Sequence, residues 1–259
     1  MRTADWTESV SVLDRITAVF EAFGEDDEGL GVSELARRAN LPKSTVSRIA
    51  NDLVGQRLLD REGDKLYLGV RLFEMGQTVE QPRRLRHFAL PVMTELRNLT
   101  GQTVHLAVLE GTDVVFLSVV RGRPTQAPVA RVGTRLPGSA TALGKAILAF
   151  TPPEVAERIV NADLRRLPSR TTGDASALLA ELAEARRSGF ASEHGESAAG
   201  RCCIAGPILG SGTVPIAAIS VTGTSEELDP ERAAPAVRAA AMTLTRRLAA
   251  GRVGAGRVL

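Results

Sequence analysis

Four stretches of this 259-residue chain hold residue types that could do chemistry. The first, Gly138-Ser139-Ala140-Thr141-Ala142-Leu143-Gly144-Lys145, has the outline of a loop that cradles a nucleotide phosphate. Such a loop needs four residues between its glycines and a Ser or Thr after the lysine, whereas here five intervene and Ala146 follows. What survives is a helix starting near Thr141, whose first N–H groups have no intrahelical acceptor and carry partial positive charge. The second stretch holds the only cysteines, Cys202 and Cys203, with His194 upstream. Cys203 with His194 as base would make a hydrolase pair, but CCIAGPI is the apolar kind of strand that buries an inert thiol. In the third, Ser220 and Thr222 lie two apart on one strand, so their hydroxyls share a face of a segment apolar enough to be buried. Buried hydroxyls need partners, supplied by neighbouring backbone or by a ligand. The fourth is Lys43, Ser44, Thr45, Ser47, Arg48 and Asn51, the donor-rich set that one helix face offers to phosphates and base edges in a major groove. His87, His105 and His194 share no metal-ligand spacing, and adjacent cysteines fit neither a CxxC motif nor a disulfide framework. No metal and no cofactor is expected.

The donor-rich set needs a helix pair to position it, and residues 32–54, VSELARRANLPKSTVSRIANDLV, supply one. Val32, Leu35, Ala36 and Ala39, then Val46, Ile49, Ala50 and Leu53, each recur at i, i+3, i+4, i+7 and give each helix one buried stripe. Between them Asn40 tolerates the left-handed backbone that ends a helix, and Pro42 suits the first turn of the next. Ser33 is the expected N-cap of the first helix. Residues 11–23, with Val12, Leu13, Ile16, Val19, Phe20 and Phe23 at helical spacing, predict a preceding helix that packs on the pair. Residues 56–61 and 65–69, around the turn Glu62-Gly63-Asp64, predict a hairpin. A hairpin directly after a helix-turn-helix is a wing, and it carries Arg61 and Lys65 to where they could reach phosphate.

Charge limits what this module can do. Residues 1–69 hold nine basic against thirteen acidic side chains, a balance of −4, with the run Glu25-Asp26-Asp27-Glu28 in the loop before the helix pair. From residue 29 to 54 the balance is +2. Screening confines charge effects to about 8–10 Å at working salt, so the local face outweighs the total, and modest non-specific affinity follows.

Residues 70–86 predict a connecting helix with a thin apolar stripe and a break at Gln81-Pro82, and 88–99 a further amphipathic helix ending at Gly101. Beyond it, 104–109 and 114–120 alternate as strands around Glu110-Gly111-Thr112-Asp113, and 121–137 is irregular with a strand at 129–132. Helices follow at 141–150, 152–160 and 175–188, the last stopped by Gly189. Strands return at 190–194, 202–209 and 214–221, the final pair joined by Gly210-Ser211-Gly212-Thr213, and 230–248 closes the chain as a helix. Residues 251–259 form a tail. The class is α+β, with a mixed, largely antiparallel sheet covered by helices. No stretch approaches the roughly 18–20 apolar residues of a membrane span, and the cytoplasm is the expected compartment.

Several of these stretches together, LPKSTVSRIANDL, LYLGVRLFEMG, TRLPGSATALGKAILA and RCCIAGPILGSGTVPIAAISVTG, resemble the IclR-type family of bacterial transcriptional regulators. The resemblance implies a winged helix-turn-helix over 1–70, a linker helix over 71–87 and a GAF-like effector-binding domain over 88–250. It also implies a homodimer or dimer of dimers on double-stranded DNA with an inverted-repeat operator, acting as a repressor modulated by a small organic molecule. Family members whose effector is a small organic acid hold it with residues aligning with Ala142, Leu143, Glu193, Cys203, Ser220 and Thr222, the first two through backbone N–H groups. This chain has Glu193 where such members have Asp, and Thr222 in place of Ser, so the effector's identity does not transfer. The alternative is a metabolic enzyme or esterase with a regulatory N-terminal module, against which stands the lack of a nucleophile, base and orienting acid close together in any motif.

Overall fold

A computed structural model of the chain describes residues 11–24, 28–123, 130–162, 174–210 and 213–250. It divides into two compact units, 1–80 and 81–259. Four expected features fall wholly or partly outside the described residues: the acidic run at 25–27, the first residue of the strand at 129–132, the turn at 211–212 and the tail at 251–259.

In the first unit, α1 (Val12–Glu21) starts at a capping box in which the Ser11 hydroxyl accepts from Asp14 N and the Asp14 carboxylate accepts from Ser11 N. Its inner face is Val19, with Ile16, Phe20 and Phe23 half-buried, while Val12 and Leu13 stay exposed. β1 (Leu30–Gly31) leads into α2 (Val32–Ala39) and α3 (Lys43–Gly55). Asn40 takes φ 53°, ψ 45° and ends α2 as its left-handed cap. Gly31, not Ser33, occupies the N-cap of α2, because the strand pairing of β1 holds residue 31 extended up to the first helical residue. Pro42 stands one residue earlier than expected, as the N-cap of α3, and its carbonyl accepts from Val46 N. β2 (Leu59–Glu62) and β3 (Lys65–Leu68) form the wing hairpin, and β1 adds a third strand in the order β1-β3-β2. Two residues are too few to show an alternating pattern, so the sequence gives no sign of β1. α4 (Val70–Gln77) follows.

The helix break comes at Thr78 and Val79, not at Gln81-Pro82, and α5 (Glu80–Thr100) runs on without the second start expected at residue 88. A proline ring collides with the carbonyl four residues back, here that of Thr78, whereas its missing N–H costs nothing in the first turn of a new helix. Pro82 therefore ends α4 from a distance and sits comfortably as the third residue of α5.

The second unit is built on a six-stranded antiparallel sheet, ordered β6-β5-β4-β9-β8-β7. Its strands are β4 (Thr103–Glu110), β5 (Asp113–Val120), β6 (Arg135–Pro137), β7 (Ala191–His194), β8 (Arg201–Leu209) and β9 (Pro215–Thr224). β6 lies inside the stretch read as irregular, and among the described residues 130–132 carry no strand. Alternation along the strands sorts the core into two layers. Val104, Leu106, Cys202, Ile204, Ile208, Ile219 and Val221 face α5 and α9 (Pro230–Ala250). Ala107, Ala191, Cys203, Ala205 and Ala218 face α6 (Ala142–Phe150) and α8 (Ala175–Ser188). Between α6 and α8 comes α7 (Pro153–Ala162), and a 3-10 turn at Gly138–Ala140 precedes α6. Small residues fill the second layer, which lets the nearly all-buried α6 lie close to the sheet.

Candidate functional site

On the first unit, burial of Val46, Ile49, Ala50 and Leu53 turns the opposite face of α3 outward. Lys43, Ser44, Arg48 and Asn51 are exposed, and Thr45 and Ser47 half-buried. The wing reaches this face, since Arg61 Nη2 donates to Asn51 Oδ1 at 2.9 Å. Lys65 Nζ donates to the Glu28 carbonyl at 2.9 Å, so its ammonium lies against the loop before β1. Arg37 and Arg38, half of the basic residues of the helix pair, are occupied by Glu34, whose carboxyl they hold at about 2 through hydrogen bonds. Lys43, Arg48, Arg61 and Lys65 remain as cations of α3 and the wing, with Arg57 exposed between them.

On the second unit, strand register does the assembling. Glu193 pairs with Cys203, Cys203 with Thr222 and Thr222 with Thr103, one row across four strands, and the adjacent row pairs His105 with Ser220 and Ser220 with Ala205. Both rows point to the α6 side. There the six residues named from sequence, Ala142, Leu143, Glu193, Cys203, Ser220 and Thr222, line a single narrow cavity whose water-accessible space is about 10 Å³, room for one water as the side chains stand.

Five residues that sequence reasoning missed share it: His105, Phe116, Thr141, Ser197 and Arg201. Lone residues on separate strands and loops carry no spacing signal; only Thr141 could have been found, as the Ser/Thr before a helix. Thr141 caps α6 by accepting from Gly144 N at 3.1 Å, and its carbonyl accepts from Lys145 N. The N–H groups of Ala142 and Leu143 thus begin the helix with no acceptor inside it.

The polar interior is linked. Thr222 Oγ1 lies 3.2 Å from both Cys203 Sγ and His105 Nδ1. Glu193 Oε1 accepts from Glu196 N, Ser197 N and the Ser197 hydroxyl at 3.0, 2.8 and 2.8 Å, and Arg201 Nη1 donates to Ser197 Oγ at 3.2 Å. Buried atoms of this wall that lack a hydrogen-bond partner include Glu193 Oε2 and Ser220 Oγ; the His105 ring, whose Nδ1 faces Thr222, also bonds to the Ala130 backbone. His105 packs edge-to-face on Phe116 with ring centroids 5.3 Å apart. Burial lowers its pKa to about 3, with Arg201 acting in the same direction, so the imidazole is neutral.

Nucleophilic chemistry finds no support in this arrangement. Burial, then the nearby Glu193, pushes the Cys203 thiol well above its ordinary range, and a thiol that stays protonated is a poor nucleophile. His194 pairs in register with Cys202, so pleating turns it away from Cys203. Gly138 and Gly144, which gave the phosphate-loop outline, abut one another: a Cβ on Gly144 would stand 2.2 Å from the Gly138 carbonyl oxygen. Lys145 Nζ is held by Glu181 and Glu196, not free for phosphate. Among the described residues no group of three or more His, Cys, Asp or Glu could hold a metal ion, and no helix is long and apolar enough to cross a membrane.

Known proteins with this organisation agree in kind. The IclR helix-turn-helix domain profile matches residues 12–63, and the profile of the bacterial transcriptional regulator IclR C-terminal domain matches residues 77–246. The HTH-type transcriptional regulator KdgR of Escherichia coli (strain K12) is 31% identical over 228 residues, spanning 87% of this chain and 86% of its own. The HTH-type transcriptional repressor AllR of Salmonella paratyphi A is 30% identical, spanning 85% and 82%. A crystal structure of an IclR homolog from Microbacterium hydrocarbonoxydans, complexed with 4-hydroxybenzoate, superposes with TM-score 0.83 at 34% identity over 92% of this chain and 99% of that one. The Thermotoga maritima IclR gives 0.74 at 26% identity, over 91% and 98%. With a helix-turn-helix whose polar face is turned outward, a second unit enclosing a polar cavity, and matches to both halves, the chain belongs to the IclR family and is a DNA-binding transcriptional regulator.

Proposed function

We propose that operator binding by this regulator is controlled by a small aromatic acid that also carries a hydroxyl donor, bound in the cavity under the N-terminus of α6. The observation that carries this is the convergence of Glu193 Oε2 and Ser220 Oγ, two buried polar atoms without a hydrogen-bond partner, on one cavity. Buried polar atoms are almost always hydrogen-bonded, and two exceptions around one space point to a ligand that completes them. The N–H groups of Ala142 and Leu143 suit a carboxylate. Glu193 repels a second carboxylate and suits a hydroxyl, while Phe116 and His105 offer ring edges and faces to an aromatic body. The 4-hydroxybenzoate in the Microbacterium relative is one molecule with these three parts.

The protein acts as a repressor without enzymatic activity, in the cytoplasm, as a homodimer or dimer of dimers on an inverted-repeat operator. The effector residues are Ala142, Leu143, Glu193, Cys203, Ser220 and Thr222 together with His105 and Ser197; Lys43, Ser44, Thr45, Ser47, Arg48, Asn51, Arg61 and Lys65 contact DNA.

Titrating operator complexes with 4-hydroxybenzoate and related hydroxybenzoates tests this. A hydroxybenzoate should change operator affinity with a defined midpoint, and Ser220→Ala should weaken its binding by about 1–3 kcal/mol, a shift of roughly five- to 150-fold, while ligand-free operator affinity stays near wild type. An unchanged midpoint removes Ser220 from the site, and no response to any hydroxybenzoate rejects the ligand class.

A further inference from the structure

Lys145 is 2% exposed, the largest of the fully buried side chains among the described residues, and none of its atoms lines the cavity just described. Its Nζ lies 2.7 Å from both carboxylate oxygens of buried Glu196 and 2.6 Å from Glu181 Oε2. Glu196 sits in the loop between β7 and β8, which runs between two glycines in the left-handed region, Gly195 at φ 70° and Gly200 at φ 73°. That loop supplies the donors that fix Glu193: the N–H of Glu196 itself, and the N–H and hydroxyl of Ser197, all on Oε1. It also sets Arg201 through Ser197 Oγ. One short helix therefore offers N–H groups at its start and, three residues on, an ammonium that grips the middle of the opposite wall. The pair is weak evidence for stability, because the desolvation of two buried ions consumes most of their attraction and an apolar pair of similar volume often serves as well.

We infer that Lys145 is a positioning residue for ligand binding: by clamping Glu196 it holds the 195–200 loop so that Glu193 keeps Oε1 for the loop and turns Oε2 to the ligand. This rests on the cavity being the effector site proposed above. Lys145 itself never touches the ligand. The clamp fixes the distance between the acid-binding end at α6 and the hydroxyl-binding end at Glu193, and so selects ligands by length.

The test compares full-length wild type with Lys145→Arg, Lys145→Met and the double variant Lys145→Met/Glu196→Met. The double variant leaves no unpaired buried charge, so it should melt close to wild type. Amide hydrogen exchange is read at residues 196 and 197, with α9 as an internal control, and calorimetry gives the affinity for 4-hydroxybenzoate. In the double variant exchange at 196 and 197 should quicken at least about tenfold with α9 unchanged, and affinity should fall by about tenfold or more; Lys145→Arg should recover part of both. Wild-type exchange at those amides in the double variant overturns the inference, as does failure of the double variant to fold, which would make the pair structural. Should wild type itself not bind 4-hydroxybenzoate, the proposed ligand falls, and the exchange measurement alone decides the role of Lys145.

Discussion

His105 shows how a single buried side chain can tie the cavity to the solution. Desolvation, reinforced by the guanidinium groups of Arg201 and Arg121 and only partly offset by a bond with the Ala130 backbone, lowers its pKa to about 3. In the unfolded chain it titrates near 6.5. Below pH 6.5 the unfolded state takes up a proton that the native state refuses, so the stability tied to neutral His105 is complete above that pH and is lost as pH falls toward 3. The slope reaches at most about 1.4 kcal/mol per pH unit. Urea unfolding between pH 7 and 5 should therefore lose stability more steeply in wild type than in His105→Gln, and parallel curves would show that the histidine is not held neutral. The residue was invisible as a site member because its partner Thr222 and its neighbour in register Ser220 lie far along the chain. Ser220 and Thr222 were legible because they are two apart on one strand. A second residue-scale expectation concerns the outward face of α3. Arg48→Ala should cost about 1–3 kcal/mol on the specific operator and relax sequence preference there. Asn51 and Arg61, read from sequence as separate DNA contacts, are hydrogen-bonded to each other. Their alanine variants should then be non-additive by about 0.5 kcal/mol or more in a double-mutant cycle on operator binding, whereas additive losses would mean that the pair parts on DNA.

At the scale of elements, the junction between the 3-10 turn and α6 decides whether the cavity exists. Gly144, the third residue of α6, faces Gly138 so closely that a Cβ would stand 2.2 Å from its carbonyl oxygen and 2.3 Å from its Cα, both rigid backbone. Gly144→Ala must push α6 away from the turn, carrying the Ala142 and Leu143 N–H groups with it. Chemical denaturation should show a loss of about 1–3 kcal/mol or more, and ligand binding should fall together with it. Wild-type stability in this variant would mean that the two backbones do not meet. The glycine spacing that suggested a phosphate loop is thus a packing signal, and sequence alone does not separate the two because both require a residue without a side chain. Long amphipathic helices and alternating strands were legible throughout, as α3, α8, β4 and β9 show. Short elements set by their neighbours were not. β1 exists because β3 offers it an edge, and β6 because β5 does. The helix break was misplaced for a related reason: Pro82 acts on the carbonyl of Thr78, four residues back.

At the scale of the whole molecule, net charge is only +2, and the first unit is formally acidic, so the proposed homodimer would draw its affinity for DNA from a few well-placed cations used twice. In the proposed assignment one module offers Lys43, Arg61 and Lys65 to phosphates beside Arg48 for base edges. Each phosphate neutralised on B-DNA contributes about −0.9 to the slope of log affinity against log salt, so one module gives about −3 and a symmetric pair about −5. A single recognition helix also reads only a few base pairs, which a two-fold pair doubles by placing both helices in successive major grooves on one side of the duplex. Symmetry therefore makes two linked predictions. Footprinting should reveal an inverted repeat with half-sites about one helical turn apart or a multiple of it, and light scattering should give a dimer or tetramer at working concentration. Arg61→Ala separates this from a monomer with extra non-specific contacts. In a pair it removes two phosphate contacts and should flatten the salt slope by about 2, on specific and random DNA alike, whereas a monomer would lose only about 1. A slope change near 1 with a monomeric mass would defeat the symmetric model whatever the operator's sequence.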